Sequence, residues 1–329
     1  MIRWRYFFRQ WQNWLAILII LLFAISAIFA PLLAPPSDPE NTTPFQIVDQ
    51  SFTRIPLPPD EQNILGTVPQ ILNLPLFGIA PGQDASYQWD VYFTLVWGTR
   101  SAFRFGLVVT VITAVIGIII GIISAYWGGL LNRLLMGISD AFLAFPVIAA
   151  LWVIQRTLFS QLYSFFPEPE SWRWWEHLLN NLKISPIMLT LILFSWMPYA
   201  RMMNASITQL RQADYIEAAV AMGATGSRII RKHLLPNAIS PTIVLMARDV
   251  GGMVVLAAAF IFIGFGGDIA WGIVLVSSRD YVIGLGGNPF IYWWSFLPIA
   301  LALTFFALGW NLLGDGLNSA MNPHRSWVQ

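Results

Sequence analysis

The stretch Ala213–Pro241, ADYIEAAVAMGATGSRIIRKHLLPNAISP, is a polar, basic island between two apolar segments, each long enough to cross a bilayer. Asp214 followed by Glu217 has the spacing of a capping box, with Asp in place of Ser or Thr. That predicts a helix from near Tyr215 to Met222. Gly223 ends it, because glycine most cheaply takes a left-handed C-terminal cap. Thr225 can cap a second helix carrying Ile229, Ile230, His233 and Leu234 on one side, and Pro236 is expected to stop it. The expectation is a compact helix, turn, helix held out into water. A DNA-reading motif scans the same way, but a DNA reader belongs in a soluble domain, and this loop is tied at both ends to apolar spans. No nucleic-acid partner is expected.

Composition sets the frame. The chain is 57% hydrophobic and 11% charged, against about a quarter charged in soluble domains. It reads as an all-α integral membrane protein. The net charge of +1 shows no polyanion-binding bias, and the absence of cysteine removes disulfides and thiolate chemistry. Neither lysine, Lys183 or Lys232, sits in a G-x-x-x-x-G-K-[ST] loop, so no ATP site of its own is expected.

Along the chain, a basic aromatic start (Arg3, Arg5, Arg9) precedes an uncharged stretch from Leu15 to Leu33, long enough for a span of about twenty residues and read as a retained anchor. Residues 1–34 form this first unit. Residues 35–94 are proline-rich and acidic, with Arg54 the single basic residue before Asp90, and read as an outer loop. Residues 95–318 form a five-span core that includes the loop 204–240, and 319–329 form a tail. The later spans are expected at Phe105–Trp127, Leu134–Ile154, Ile184–Met203, Ile239–Phe265 and Tyr292–Leu313, six in all. Gly266–Asn288 is expected as an outer loop, and Gln155–Lys183 as an amphipathic segment at the interface. Thr113, Gly117, Gly121 and Ala125 form a small-residue stripe that favours close helix packing, within the chain or with a partner. Asp140, Arg248 and Asp249 are charges inside spans, each a candidate for the transport path or for a structural pairing. Adjacent helical residues point about 100° apart, so Arg248 and Asp249 each need another partner. With both termini and the 204–240 loop inside, basic residues number ten inside against five outside, in accord with the positive-inside rule.

The loop resembles a known signature. Glu217, Ala218, Ala219, Gly223, Leu235 and Pro236 fit E-A-A-x3-G-x9-I-x-L-P of ABC-importer membrane subunits, with His233 in place of Ile, as in the peptide-importer branch. YWGGLLNRLLMGISDAFLAFP (Tyr126–Pro146) and WNLLGDGLNSAMNP (Trp310–Pro323) are similar to the second permease subunit of dipeptide and oligopeptide importers. Leu65-Gly66-Thr67 and Trp89-Asp90-Val91 resemble the two ends of that family's L-G-T-D-x-x-G-R-D motif, split by Val68–Tyr87, read as a surface excursion. Where relatives commonly carry Glu in the fifth span, this chain has Ala257.

The resemblance implies a bacterial inner-membrane permease. Its partners would be a homologous second permease, two ABC ATPases, an external solute-binding protein and membrane lipid. ATP and magnesium would be held by the partner ATPases, with no cofactor in this chain. It also implies ATPase coupling through Asp214, Glu217, Ala218, Ala219, Gly223, Leu235 and Pro236. Peptides are the expected cargo. Nickel complexes or another solute are the alternative, and an ATP-independent channel or secondary transporter is the reading from another class. Catalysis is not expected, because His177, His233 and His324 fall in different loops.

Overall fold

The computed structural model describes residues 7–40, 43–48, 53, 55–69, 88–159, 173–284 and 286–321. Arg3, Arg5, Arg54, His324 and most of the expected 68–87 excursion lie outside the described residues. Helices dominate. They are α1 (Trp11–Ile28) and its short continuation α2 (Ala30–Leu33), α3 (Val91–Trp127), α4 (Gly129–Ala144), α5 (Val147–Leu158), α6 (Trp174–Asn181), α7 (Pro186–Phe194) and α8 (Met197–Leu210). Then follow α9 (Asp214–Ala221), α10 (Gly226–Ile229), α11 (Leu235–Ile263), α12 (Ala270–Ile283) and α13 (Trp293–Met321). Two short strands, β1 (Thr67–Pro69) and β2 (Gln88–Asp90), pair antiparallel before α3.

Among the described residues, four helices are long and apolar enough to cross a membrane, and the number reaches six if each of two bent pairs is one span. The first bend corrects the expected third span, which it breaks, whereas the second falls between the expected interface segment and the expected fourth span, which lies in Pro186–Leu210. Gly129–Ala144 meets Val147–Leu158 at 88°, and Trp174–Asn181 meets Pro186–Leu210 at 90°. Proline explains the first: Pro146 lacks an N–H and pushes the preceding residue out of the helical region, and Phe145 is extended (φ −80, ψ 131). The expected outer loop 266–288 is also corrected, since it contains helix α12. Its Trp271 is wholly buried and donates through Nε1 to the Leu95 carbonyl at 3.1 Å.

Helix α3 is the central post, 37 residues and so roughly 55 Å at 1.5 Å per residue. Asp90 caps it, accepting from the Phe93 N–H at 3.0 Å. The uncharged stretch from Phe105 onward is long enough to cross a bilayer. The small-residue stripe packs within the chain, against α8. A Cβ at Gly117 would stand 2.4 Å from the Tyr199 Cβ, and one at Gly121 2.6 Å from the Ala200 carbonyl. Helix α11 packs along α13 and against α3, and α1 lies along α13. The core between them centres on Phe105, Leu191, Val254, Trp271 and Phe306. Ala257 is fully buried in it.

Outside the helices, the split motif is joined by the hairpin. Thr67 pairs with Asp90, Val68 with Trp89 and Pro69 with Gln88. Val68 is therefore a buried strand residue and not part of a surface excursion. Gln88 ties the region together: its Nε2 donates to the Thr53 and Ile55 carbonyls at 2.6 and 2.9 Å, and its Oε1 accepts from the Thr67 hydroxyl at 2.9 Å.

Candidate coupling loop

Helix α9 begins one residue earlier than its spacing suggests. Ala213 is the N-cap, extended at φ −83 and ψ 137, with no side-chain cap hydrogen bond. The Asp214–Glu217 capping box does not form. Ala213 packs into the apolar cluster beneath the loop, and this contact fixes the start. Asp214 and Glu217 fall in the first turn, where negative charge is favoured by the helix dipole.

The helix closes as its glycine requires. Gly223 is left-handed at φ +79. The Gly223 N–H bonds the Val220 carbonyl at 2.9 Å and the Ala224 N–H bonds Ala219 at 3.0 Å, a Schellman motif. Thr225 is the N-cap of α10 by backbone, without a side-chain bond. Pro236 does not stop the second helix. A π-turn, Ile230–Leu234, joins α10 to α11, and the Leu235 N–H reaches back to the Ile230 carbonyl. The wider turn accommodates a proline that would otherwise clash with the carbonyl four residues back.

Burial divides α9 into two faces. Ile216 and Ala219 are buried, and Ile216 joins Ile229, Leu234, Met203 and Ile207 in a small core against the end of α3. Burying an isoleucine of this kind contributes on the order of 2 kcal/mol, so the short helix is anchored. Ala219 thus faces its own chain, and of the two alanines only Ala218 lies on the outer surface. Tyr215, Ala218 and Met222, spaced i, i+3 and i+7, form an exposed stripe, with Met222 82% exposed. Tyr215 and Met222 were legible only as helix ends; reading the outward face for apolar residues at helical spacing finds them. Leu235 is half-buried beside the cluster, and Pro236 is exposed.

The loop is fastened to the spans by polar contacts that the sequence did not single out. The Arg211 Nη1 donates to the Ala125 carbonyl at 2.6 Å, with its guanidinium 5.8 Å from the Tyr126 ring. The Asn204 Nδ2 donates to Ser124 Oγ and to Asn132 Oδ1, both at 2.7 Å, binding α8 to α3 and α4.

The charges within the spans each find a partner on another helix. Asp140 on α4 pairs with Arg201 on α8 at 3.1 Å, and Arg248 on α11 pairs with Asp315 on α13. The Asp249 carboxylate accepts from the Tyr199 hydroxyl at 2.6 Å. Arg248 and Asp249 do not pair with each other. The two ion pairs are about half exposed (57% and 58%; 44% and 58%). Charge on a hydrocarbon-facing surface is costly, which favours protein or water against those faces.

A helical body with apolar spans, paired charges and one anchored, capped loop defines a multi-pass membrane protein of the transport-permease class. Residues 117–327 match the family model described as binding-protein-dependent transport system inner membrane component. The chain belongs to that family, whose members are transport permease subunits and not enzymes. Residues 2–59 match the N-terminal TM domain of oligopeptide transport permease C.

Among its relatives, the dipeptide transport system permease protein DppC of Alkalihalophilus pseudofirmus is 28% identical over 327 residues, 97% of this chain and 90% of that one. The glutathione transport system permease protein GsiD of Pectobacterium atrosepticum is 26% identical over 325 residues, 97% and 89% of the two chains. Among solved structures, an inward-facing MetNI methionine ABC transporter chain is 23% identical with a TM-score of 0.49, covering 69% of this chain and 95% of that one.

Proposed function

We propose that this chain is the C-type permease subunit of an ABC importer for short peptides, crossing the membrane six times with both termini and the α9 loop in the cytoplasm. Its partners are a homologous permease, two ATPases that bind ATP and magnesium, and an external solute-binding protein. The family membership and the peptide, dipeptide and glutathione permease names of its relatives support the cargo class.

The observation that carries the coupling role is the two-faced α9. Its inner face is keyed into the end of α3, and its outer face offers Tyr215, Ala218 and Met222 to a partner. Asp214 and Glu217 favour the helix start, and Gly223 sets the angle at which the chain turns into α10. Leu235 and Pro236 join that turn to α11 through the π-turn. A displacement of α9 by an ATPase would pass through Arg211 and the apolar cluster to α3, and through the π-turn to α11. ATP-driven closure of the ATPases would then shift the spans between two packings, with no bond made or broken in this chain. Asp140, Arg248 and Asp249 fasten helices that must move as units.

The test is co-purification from native membranes alongside Gly223→Glu. The expected result is a second permease and two nucleotide-binding subunits with the native chain, and loss of the ATPases and of substrate-stimulated ATP hydrolysis from the variant, with membrane insertion unchanged. Native coupling in Gly223→Glu would overturn the role of the loop.

A further inference from the structure

Away from the coupling loop, Arg100 and Arg104 on α3, Lys183 before α7 and Asp268 before α12 gather around two adjoining cavities of about 320 Å³ each. Arg104, Lys183 and Asp268 border both. The group is built into the fold. The Arg104 Nη2 donates to the carbonyls of Leu182 and Lys183 at 3.3 and 3.1 Å. Lys183 itself has φ +51, the one positive φ outside glycine among the described residues. A non-glycine residue in this conformation costs free energy, which here holds a charged side chain beside a cavity. Arg100 donates to the Ala27 and Ile28 carbonyls at 2.5 and 3.2 Å, and its guanidinium lies 4.6 Å from the Trp97 ring.

The depth of the site follows from the sequence. Arg104 directly precedes the uncharged stretch that begins at Phe105, and Ala27 and Ile28 end the apolar helix α1. The first apolar stretch runs on through α2 to Leu33, so the site lies just inside the rim of the spans, close to the level where headgroups begin. Leu178 and Leu182, the chain neighbours of the lining residues Leu179 and Lys183, are 49% and 55% exposed, surface that an acyl chain would cover. Three cations and one carboxylate at this level suit a ligand with a phosphate and an adjacent ammonium. Basic pockets between membrane helices bind lipid headgroups on the same principle.

We propose that this site binds the headgroup of phosphatidylethanolamine, with the phosphate on Arg104 and Lys183 and the ammonium on Asp268. A short peptide carries the same two charges on its termini. The position at the rim of the apolar spans, with the exposed leucines alongside, favours the lipid. The site does not depend on the coupling reading, and its failure would leave that reading intact.

The test uses the full chain with its accompanying subunits, stripped of lipid in detergent and followed by native mass spectrometry during titration with phosphatidylethanolamine, phosphatidylglycerol or trialanine. Asparagine tolerates positive φ, so Lys183→Asn removes the charge and keeps the backbone. It is expected to lower retention of both lipids about tenfold, the order of one lost charge-assisted bond. Asp268→Asn should lower retention of phosphatidylethanolamine alone and erase the native preference for it over phosphatidylglycerol, a comparison within one variant that holds even if Lys183→Asn folds poorly. Equal retention by the native chain and both variants would overturn the proposal. Displacement of the lipid by trialanine would overturn it too, and assign the site to a solute.

Discussion

At Gly223 the backbone turns left-handed with open space where a side chain would go, whereas at Gly121 the backbone is helical and a Cβ would meet the Ala200 carbonyl at 2.6 Å. The two glycines are required for different reasons, and substitution separates them. Gly223→Asn should keep coupling and stability close to native, since Asn visits the left-handed region at little cost. Gly121→Val should separate α3 from α8 and lower the melting temperature in detergent by several degrees, the usual scale for an overpacked contact. Thermal melts of the two purified variants check stability, and substrate-stimulated ATP hydrolysis with Gly223→Asn checks coupling. Gly223 was legible because a glycine eight residues into a polar amphipathic segment has few other uses. The capping box was misread because its spacing is satisfied by residues that lie inside the helix; what sets the start is a tertiary contact of Ala213, which no local pattern carries. The partners of Asp140, Arg248 and Asp249 were hidden for a related reason. Each lies on a distant helix, so the sequence could state that partners were needed but not name them.

At the scale of elements, the long uncharged helices were the most legible, since periodicity and length alone suffice to place α1, α3, α11 and α13. The bent pairs were less so, because a proline inside an apolar run marks a break without giving its angle. Helix α12 was masked by the glycines on either side of it. The π-turn has no local signature beyond the proline that follows it. The outer hairpin offers a test by pH. Burial, and more weakly the charge of Asp60, hold the Asp90 carboxyl above its usual value of 3.8, although the Phe93 and Tyr92 amides pull it down. A carboxyl with a raised folded pKa binds its proton more tightly when folded. Its contribution is therefore fully present below pH 3.8 and is lost as pH rises through the folded value. Asp90→Asn keeps an acceptor for the helix cap and removes the titration. It should flatten the acid side of the melting profile and leave the neutral melting temperature equal to or above native, as scanning fluorimetry from pH 4 to 7 would measure.

At the scale of the molecule, the outer region and the coupling loop stand at opposite ends of α3, and both are fastened to it by hydrogen bonds to backbone. The hairpin carries a separate consequence. Because β1 and β2 bring Pro69 opposite Gln88, the chain between them begins and ends at neighbouring points. Replacing residues 70–87 with Asn-Gly, the pair suited to a tight hairpin, should leave insertion and assembly intact, which blue-native electrophoresis would show. The converse also follows. Doubling the length of a closed loop costs only about 0.6 kcal/mol, so this place can accept a fluorescent domain or an affinity epitope while the helices beneath stay in register. On the topology proposed above, it is a graft point on the side of the membrane opposite the ATPases, through which the assembled transporter could be labelled in living cells.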